Sequence, residues 1–365
     1  MRKKMGGNQC IVLLCQDHEL TRERRGYYRA LKKRIPLVCA PLVVRNGYEC
    51  LEDLLPKQLE PILVLQPEAS PRLPHGLESC RIPTACFQID TYSGTERRLR
   101  WSMLYDYAFV FHPGFDEVFQ KAGHPRSMCL PHAVEAEMFC PLAQERQYDV
   151  GWVGNLKGSI YSTRRRIIKG LKSRFRMNPT DRSHSLEEMA AVYKQSKVAV
   201  NVSRDDYLPD ANLRCFEVMA AGALLLTSRP TELSALGFRD GVHYASYSND
   251  SELYEMVKHY LDREQERREI ADAGRALVLE QHTYDARAER ILATLTQDRG
   301  QLFAPARHWD KAEVEATYLH FYAKNLMLDS ALRQIKELAA VSRGRALRGI
   351  PMVTKAFIRA LQLSI

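Results

Sequence analysis

Asp210-Ala-Asn-Leu-Arg-Cys-Phe-Glu-Val-Met-Ala-Ala-Gly222, running on into Ala223-Leu-Leu-Leu-Thr-Ser228, is the stretch whose reading decides the fold. Leu213, Phe216 and Ala220 recur at i, i+3 and i+7, the stripe of a core-facing helix. Asp210 is a cap-forming residue at its start, and Gly222 accepts the left-handed conformation that stops it. Ala223–Ser228 is short and apolar, as a strand buried on both faces of a parallel sheet must be. Glu217 falls on the apolar stripe, where a carboxylate is costly unless it is satisfied. Either an internal salt bridge holds it or it faces a cleft. Arg214, one turn earlier, sets a cation near the positive end of the helix, which suits a phosphate-bearing ligand.

Working outward, Asn212-Leu-Arg-Cys-Phe-Glu-Val-Met-Ala-Ala-Gly-Ala-Leu-Leu-Leu-Thr227, Phe238-Arg-Asp-Gly-Val-His243 and His282-Thr-Tyr284 follow one another. In order and spacing they resemble the C-terminal half of the CgeB-like (group 1) glycosyltransferases, GT-B enzymes related to family 4. The resemblance runs from Tyr148 to Leu295. It implies two Rossmann-like domains facing a cleft, and it places on Glu217 the glutamate that binds the ribose of a nucleotide sugar. The related enzymes carry a further acid eight positions before that glutamate. Here the position is Pro209, with Asp210 beside it.

The 365 residues suffice for two domains, each with its own core. The net charge of +9 is compatible with acidic substrates, anionic lipid or nucleic acid. Nine cysteines without a Cys-x-x-Cys pair argue against a disulfide framework or a zinc site and for a reducing cytosol. The basic start Met1-Arg-Lys-Lys4 precedes an apolar run, Cys10–Cys15, too short for a signal segment. No stretch approaches transmembrane length.

Short apolar runs at 10–15, 37–44, 62–65, 84–89, 108–112 and 128–130 alternate with helical or polar segments such as 24–33 and 115–122. That alternation predicts a parallel α/β sheet over residues 1–145. Ligands of such sheets sit beyond the strand ends. The residues to watch are therefore Gln16-Asp17-His18, a Gly26 turn among arginines, Asp90 and His132. Asp90 reads as an acceptor-side base or as a turn cap; Pro131–Glu135 resembles the interdomain hinge of those transferases, which implies that His132 borders the cleft, unless it is a structural histidine.

The second domain, 146–298, opens with a strand from Tyr148 and the turn Gly154-Asn155-Leu156-Lys157-Gly158 ahead of a basic helix. There backbone N–H groups can approach a phosphate, helped by Arg164 or Arg165. Ser185-Leu-Glu-Glu188 is a capping box. Asp205-Asp206 lacks the spacing of an Asp-x-Asp metal motif, and GT-B enzymes do not need one, so no metal is expected. Residues 299–365 read as a helical, basic extension. Its last part, 341–365, either docks on the body or on a second subunit, or lies on an anionic membrane surface.

The expectation is a GT-B glycosyltransferase moving a sugar from a nucleotide-diphosphate sugar to a glycan, protein or lipid acceptor. It needs no metal or other cofactor, and kinship with family 4 points to retention. Donor contacts fall to Glu217, Arg214, Asn212, Gly154, Asn155, Lys157 and Arg164, and acceptor-side chemistry to Asp90 and His132. The protein would be cytoplasmic or peripheral at the inner face of the membrane. The alternatives are a GT-B-like binding or assembly protein without catalysis, and an epimerase or hydrolase on the same scaffold. Nucleic-acid binding is disfavoured, because the basic residues lack interleaved aromatics for stacking.

Overall fold

The six apolar runs of the N-terminal part do form parallel strands: β1 (Gln9–Leu13), β2 (Leu37–Cys39), β3 (Glu60–Gln66), β4 (Thr84–Gln88), β5 (Tyr107–Val110) and β6 (Ser127–Cys129), in the order β2-β1-β3-β4-β5-β6. Between them lie α1 (Glu23–Lys32), α2 (Thr95–Ser102) and α3 (Phe115–Lys121). The computed structural model describes residues 8–15, 22–40, 50–67, 73–141, 145–229 and 231–363. The second half of the expected strand 37–44, and Gln16, Asp17 and His18, lie outside them. Gly26 is not a turn: it lies buried inside α1, because Tyr27, Ala30 and Leu31 give that segment an inward stripe that carries the helix through it.

The second sheet holds β7 (Tyr148–Gly151), β8 (Ser196–Asn201), β9 (Leu224–Ser228) and β10 (Ala245–Tyr247), all parallel and ordered as in the chain. Its helices are α4 (Ser162–Lys172), α5 (Leu186–Lys194), α6 (Leu213–Ala220), α7 (Asp250–Asp262), α8 (Glu264–Gln281) and α9 (Tyr284–Asp298). Side chains alternate across β8: Val198, Val200 and Val202 pack with Ile167, Ile168 and Leu171 of α4, whereas Ala199 packs with α6. The capping box forms, with Glu188 N on Ser185 Oγ at 3.2 Å and Ser185 N on the Glu188 carboxylate at 2.8 Å.

Three helices close the chain: α10 (Lys311–Lys324), α11 (Leu328–Val341) and α12 (Arg343–Leu363). Two compact units result, Met1–Leu130 with Leu292–Ile365, and Pro131–Ile291. The extension is thus part of the first unit, and the first sheet shows why. One set of alternate residues, Cys10, Val12, Leu14, Val64 and Val110, packs in a single cluster with Tyr318, Tyr322 and Leu338 of the closing helices. On the opposite set, the Tyr27 ring of α1 meets Phe87 with centroids 4.4 Å apart. A parallel sheet needs cover on both faces. The C-terminal helices supply one of the two covers.

Single polar side chains fasten the joints. Buried Asp106 accepts from Thr84 N at 2.8 Å and Thr84 Oγ1 at 3.0 Å, and from Phe303 N at 2.7 Å and Ala304 N at 2.9 Å. Arg307 adds a longer bond at 3.4 Å. In the second unit Arg146 donates to Ser196 O at 2.6 Å and Gly222 O at 2.6 Å, and more weakly to carbonyls at the ends of α5 and α6. One guanidinium so satisfies two helix C-termini that would otherwise present bare carbonyls. Burial pulls it down to about 10, which leaves it charged at neutral pH.

His282 of the second unit packs against Phe216 and Phe238, at 5.2 and 4.9 Å, and accepts at Nδ1 from Arg287 at 2.7 Å. Arginine is always a donor, so Nδ1 carries no proton. Burial first, and Arg287 second, pull this ring down to about 3. Burial pulls His124 of the first unit down to about 4. Both folded values lie below the unfolded value of about 6.5, so between these limits the unfolded chain binds the extra proton. Stability from this source is full above about pH 6.5 and is lost on acidification, on the order of 2 kcal/mol per ring by pH 5. Denaturant midpoints at pH 7 and pH 5 check this, and His282→Gln should remove the His282 share of the difference while that of His124 remains. A midpoint no lower at pH 5 would contradict it.

Candidate functional site

In the second unit the strand ends gather the polar residues. Beyond β7 the chain runs through Trp152 and Val153 to Gly154, β8 ends at Asn201, and α6 begins nearby under its cap, Asn212. The cap is Asn212 and not Asp210, since its Oδ1 accepts from Arg214 N at 3.1 Å. Asp210 is buried and receives Asn212 Nδ2 at 3.1 Å. Gly222 stops the helix as expected, at φ +68°.

Asn201 was not singled out by the sequence, yet it is the hub. Its Oδ1 accepts from Arg214 Nη1 at 2.7 Å and Asn212 Nδ2 at 3.0 Å, and its Nδ2 donates to Thr227 Oγ1 at 3.0 Å. Arg214 also donates from Nε to Val153 O at 3.0 Å. Arg164, near the start of α4, donates to Val202 O at 3.1 and 2.8 Å and to Asn155 O at 3.1 Å, and lies over the Tyr161 ring at 4.4 Å. Two guanidiniums are therefore held by carbonyl and amide oxygens, with no carboxylate among the described residues ion-paired to either. Burial, then the Arg214 cation, pull Arg164 down to about 10. It keeps its charge at neutral pH, and the corner is left with positive charge and spare N–H donors.

Gly154 is there for closeness and not for an unusual backbone angle. A Cβ on it would lie 2.7 Å from Arg214 Nη2 and 2.9 Å from the buried Trp152 ring. Asn155 folds its turn by accepting the Lys157 backbone N–H at 2.8 Å, with the Lys157 residue exposed. The first N–H groups of α4 are not open to a phosphate: Asp205 takes Ser162 N at 3.0 Å and Ser162 Oγ at 2.6 Å. Burial alone would raise the Asp205 carboxyl, but hydrogen bonds from Ser162 and Thr163 outweigh it and hold it low. Asp206 meanwhile takes both nitrogens of a fork from Arg204, at 2.9 and 2.7 Å. Both acids of the Asp205-Asp206 pair thus have structural work.

Glu217 lies on α6 with its residue only 2% exposed, on a helix whose other residues, Arg214 excepted, are all buried. The structure thus joins Arg164, Arg214, Asn212, Gly154 and Asn155 in one corner, with Glu217 one turn along the same helix and Lys157 on the same turn. The acceptor-side candidates are placed separately. Asp90 follows β4 in the first unit, at φ +48°, and accepts from Tyr92 Oη at 3.2 Å. His132 belongs to the second unit, where it is buried and its backbone oxygen accepts from Arg287 at 3.2 Å. The signal that could have found Asn201 is a polar residue interrupting the run Val198-Ala-Val-Asn-Val202 at the end where ligands bind.

Residues 135–293 match the model of a family described as glycosyl transferase-like. No curated protein matches the chain. Among solved structures, a glycosyltransferase from Rickettsia africae ESF-5 covers 80% of this chain and 99% of its own, at 10% identity and a TM-score of 0.55. Anabaena Alr3699/HepE, solved in complex with UDP, covers 79% of this chain and 100% of its own at 12% identity and 0.54. A sucrose-phosphate synthase from Thermosynechococcus elongatus covers 79% and 98% at 13% identity and 0.51. At such identities the likeness is one of fold. Residues 135–293 are thus similar to a glycosyl transferase-like family, and the chain shares the α/β fold of these GT-B glycosyltransferases.

Proposed function

We propose that the chain transfers a sugar from a nucleotide-diphosphate sugar to an acceptor hydroxyl, with the donor held by the second unit. The observation that carries this reading is the pair Arg164 and Arg214, fixed by neutral oxygens at the strand ends of a glycosyl transferase-like domain. A diphosphate leaving C1 of the sugar gathers negative charge as the C1–O bond breaks. Pre-positioned guanidiniums stabilise that charge without having to reorganise. Arg214 and the turn from Gly154 to Gly158, Lys157 included, then serve where other transferases use a metal ion. HepE, a structural neighbour, is solved with UDP and with UDP-glucose, which supports a nucleotide-sugar donor.

Glu217 accepts hydrogen bonds from the ribose hydroxyls in this reading, as its resemblance to the CgeB-like glutamate implies. The acceptor oxygen bonds to C1 as its proton departs, with Asp90 and His132 the candidates to bind that hydroxyl or take the proton. Retention at C1 is part of the proposal through kinship with family 4.

Titration calorimetry with UDP, GDP and their sugars, alongside assay of released nucleoside diphosphate, tests it. Wild type binds at least one nucleotide, and Glu217→Ala binds it roughly 10–100-fold more weakly, the loss of a hydrogen bond to a charged group. Equal binding and turnover by Glu217→Ala would remove the basis of the assignment. Binding without turnover under any acceptor would favour a GT-B-like binding protein.

A further inference from the structure

α12 settles onto the first unit through its smallest residues. Ala346, Gly349, Val353 and Ala356 are buried, and a Cβ on Gly349 would lie 2.7 Å from Leu319 Cδ2 of α10. That close seat fixes which side of the helix looks outward. Of the ten large apolar side chains exposed among the described residues, five lie on this one helix, including Leu347 at 66%, Ile358 at 53% and Leu361 at 65%. Leu347, Ile350, Thr354, Ile358 and Leu361 are spaced as a single stripe. Beside it Arg348, Lys355 and Arg359 recur at i, i+7 and i+11, forming a second, cationic stripe.

Arg345 is bound to Asp310 and Glu313, but among the described residues Arg343, Arg348, Lys355 and Arg359 have no carboxylate partner, and no acid follows Glu337 in the sequence. An apolar stripe running beside unpaired cations matches one kind of surface: lipid tails under anionic headgroups. Two copies of the face would bring its cations together, which argues against self-pairing. Among the described residues no helix is long and apolar enough to cross a membrane, so contact is along the helix and not through the bilayer.

We propose that the outer face of α12 docks the protein on anionic phospholipid, the Leu347–Leu361 stripe entering the headgroup boundary while Arg348, Lys355 and Arg359 meet the phosphates. This docking stands apart from the donor site and does not depend on it.

Co-sedimentation of the full chain with vesicles tests it. Vesicles of phosphatidylcholine carrying roughly one-third phosphatidylserine should bind at least about tenfold more protein than phosphatidylcholine alone. The triple variant Leu347→Gln, Ile358→Gln, Leu361→Gln should lose most of this binding with its melting temperature unchanged, because all three side chains are exposed. Arg348→Gln, Lys355→Gln, Arg359→Gln should abolish the preference for the anionic vesicles. Equal binding to the two vesicle types, or wild-type binding by the leucine and isoleucine triple variant, overturns the proposal. So does a dimer in sedimentation equilibrium that the same triple variant dissolves without any vesicle binding. Nucleotide calorimetry on both variants should match wild type, which keeps this test separate from that of the donor site.

Discussion

Arg214→Ala is expected to lower kcat/KM for the nucleotide sugar by roughly 10²–10³-fold, the cost of deleting one fixed donor aimed at developing charge. Affinity for a nucleoside diphosphate should fall with it, whereas a nucleoside, which lacks the phosphates, should bind the variant as it binds wild type. Arg214→Lys should not rescue: Nε and Nη1 reach Val153 O and Asn201 Oδ1 at once, and an ammonium cannot span that fork. The folding cost is small by comparison, about 1 kcal/mol for partly buried acceptors left short of a donor. Steady-state kinetics with the calorimetry of the preceding section separates the two effects. Turnover by Arg214→Ala within about threefold of wild type would show that the diphosphate is stabilised elsewhere.

The second large effect concerns stability. Asp106 is wholly buried, and its carboxylate joins the start of β4 to the segment leading into the closing helices. Removing it strands the N–H groups of Thr84, Phe303 and Ala304 and leaves the half-buried Arg307 without its anion. Asp106→Ala should therefore destabilise the first unit by about 3–5 kcal/mol, the range for breaking a buried charged network from one side. Asp106→Asn should recover only part, because an amide turns a donor toward donors. Hydrogen exchange by mass spectrometry is the measure, with faster exchange in 303–341 and in β4. The variant Asp205→Ala, at a largely exposed cap, should cost about 1 kcal/mol. Equal costs for the two aspartates would mean that burial does not set the scale.

Strands were legible because each is a short apolar run between polar breaks, and each of the six runs of the first sheet overlaps an observed strand, the run 37–44 over Leu37–Cys39. The helix around Glu217 was legible too, although its stripe understated its burial. Cys215, Val218 and Met219 are as enclosed as Phe216, since α8 closes over α6. α8 itself escaped reading, and Gly274 explains it: a Cβ there would lie 2.2 Å from His243 O. A helix that approaches a backbone this closely uses glycine where an apolar side chain would have marked the stripe.

At the candidate site, the guanidiniums and glycines that carry the proposal were visible as residue types. Their partners were not, because backbone carbonyls such as Val153 O and Val202 O leave no trace in composition. Asp106, Arg146 and Arg287 share that reason. Each bonds to main-chain groups far away in sequence, and only the fold brings those together.

The helices that cover the first sheet come late in the chain, and this bears on synthesis. Tyr318 Oη takes Leu77 N at 3.0 Å, and Tyr322 Oη donates to Leu73 O at 3.0 Å, across 241 and 249 residues. On the ribosome, all of 131–291 is synthesised before those tyrosines are added. At about 5–20 residues per second the nascent first sheet waits roughly 10–40 s with Val12, Val64 and Val110 uncovered. The second unit thus has time to reach its native form first, while the first sheet stays a substrate for holdase chaperones until the helices α10 to α12 have been made.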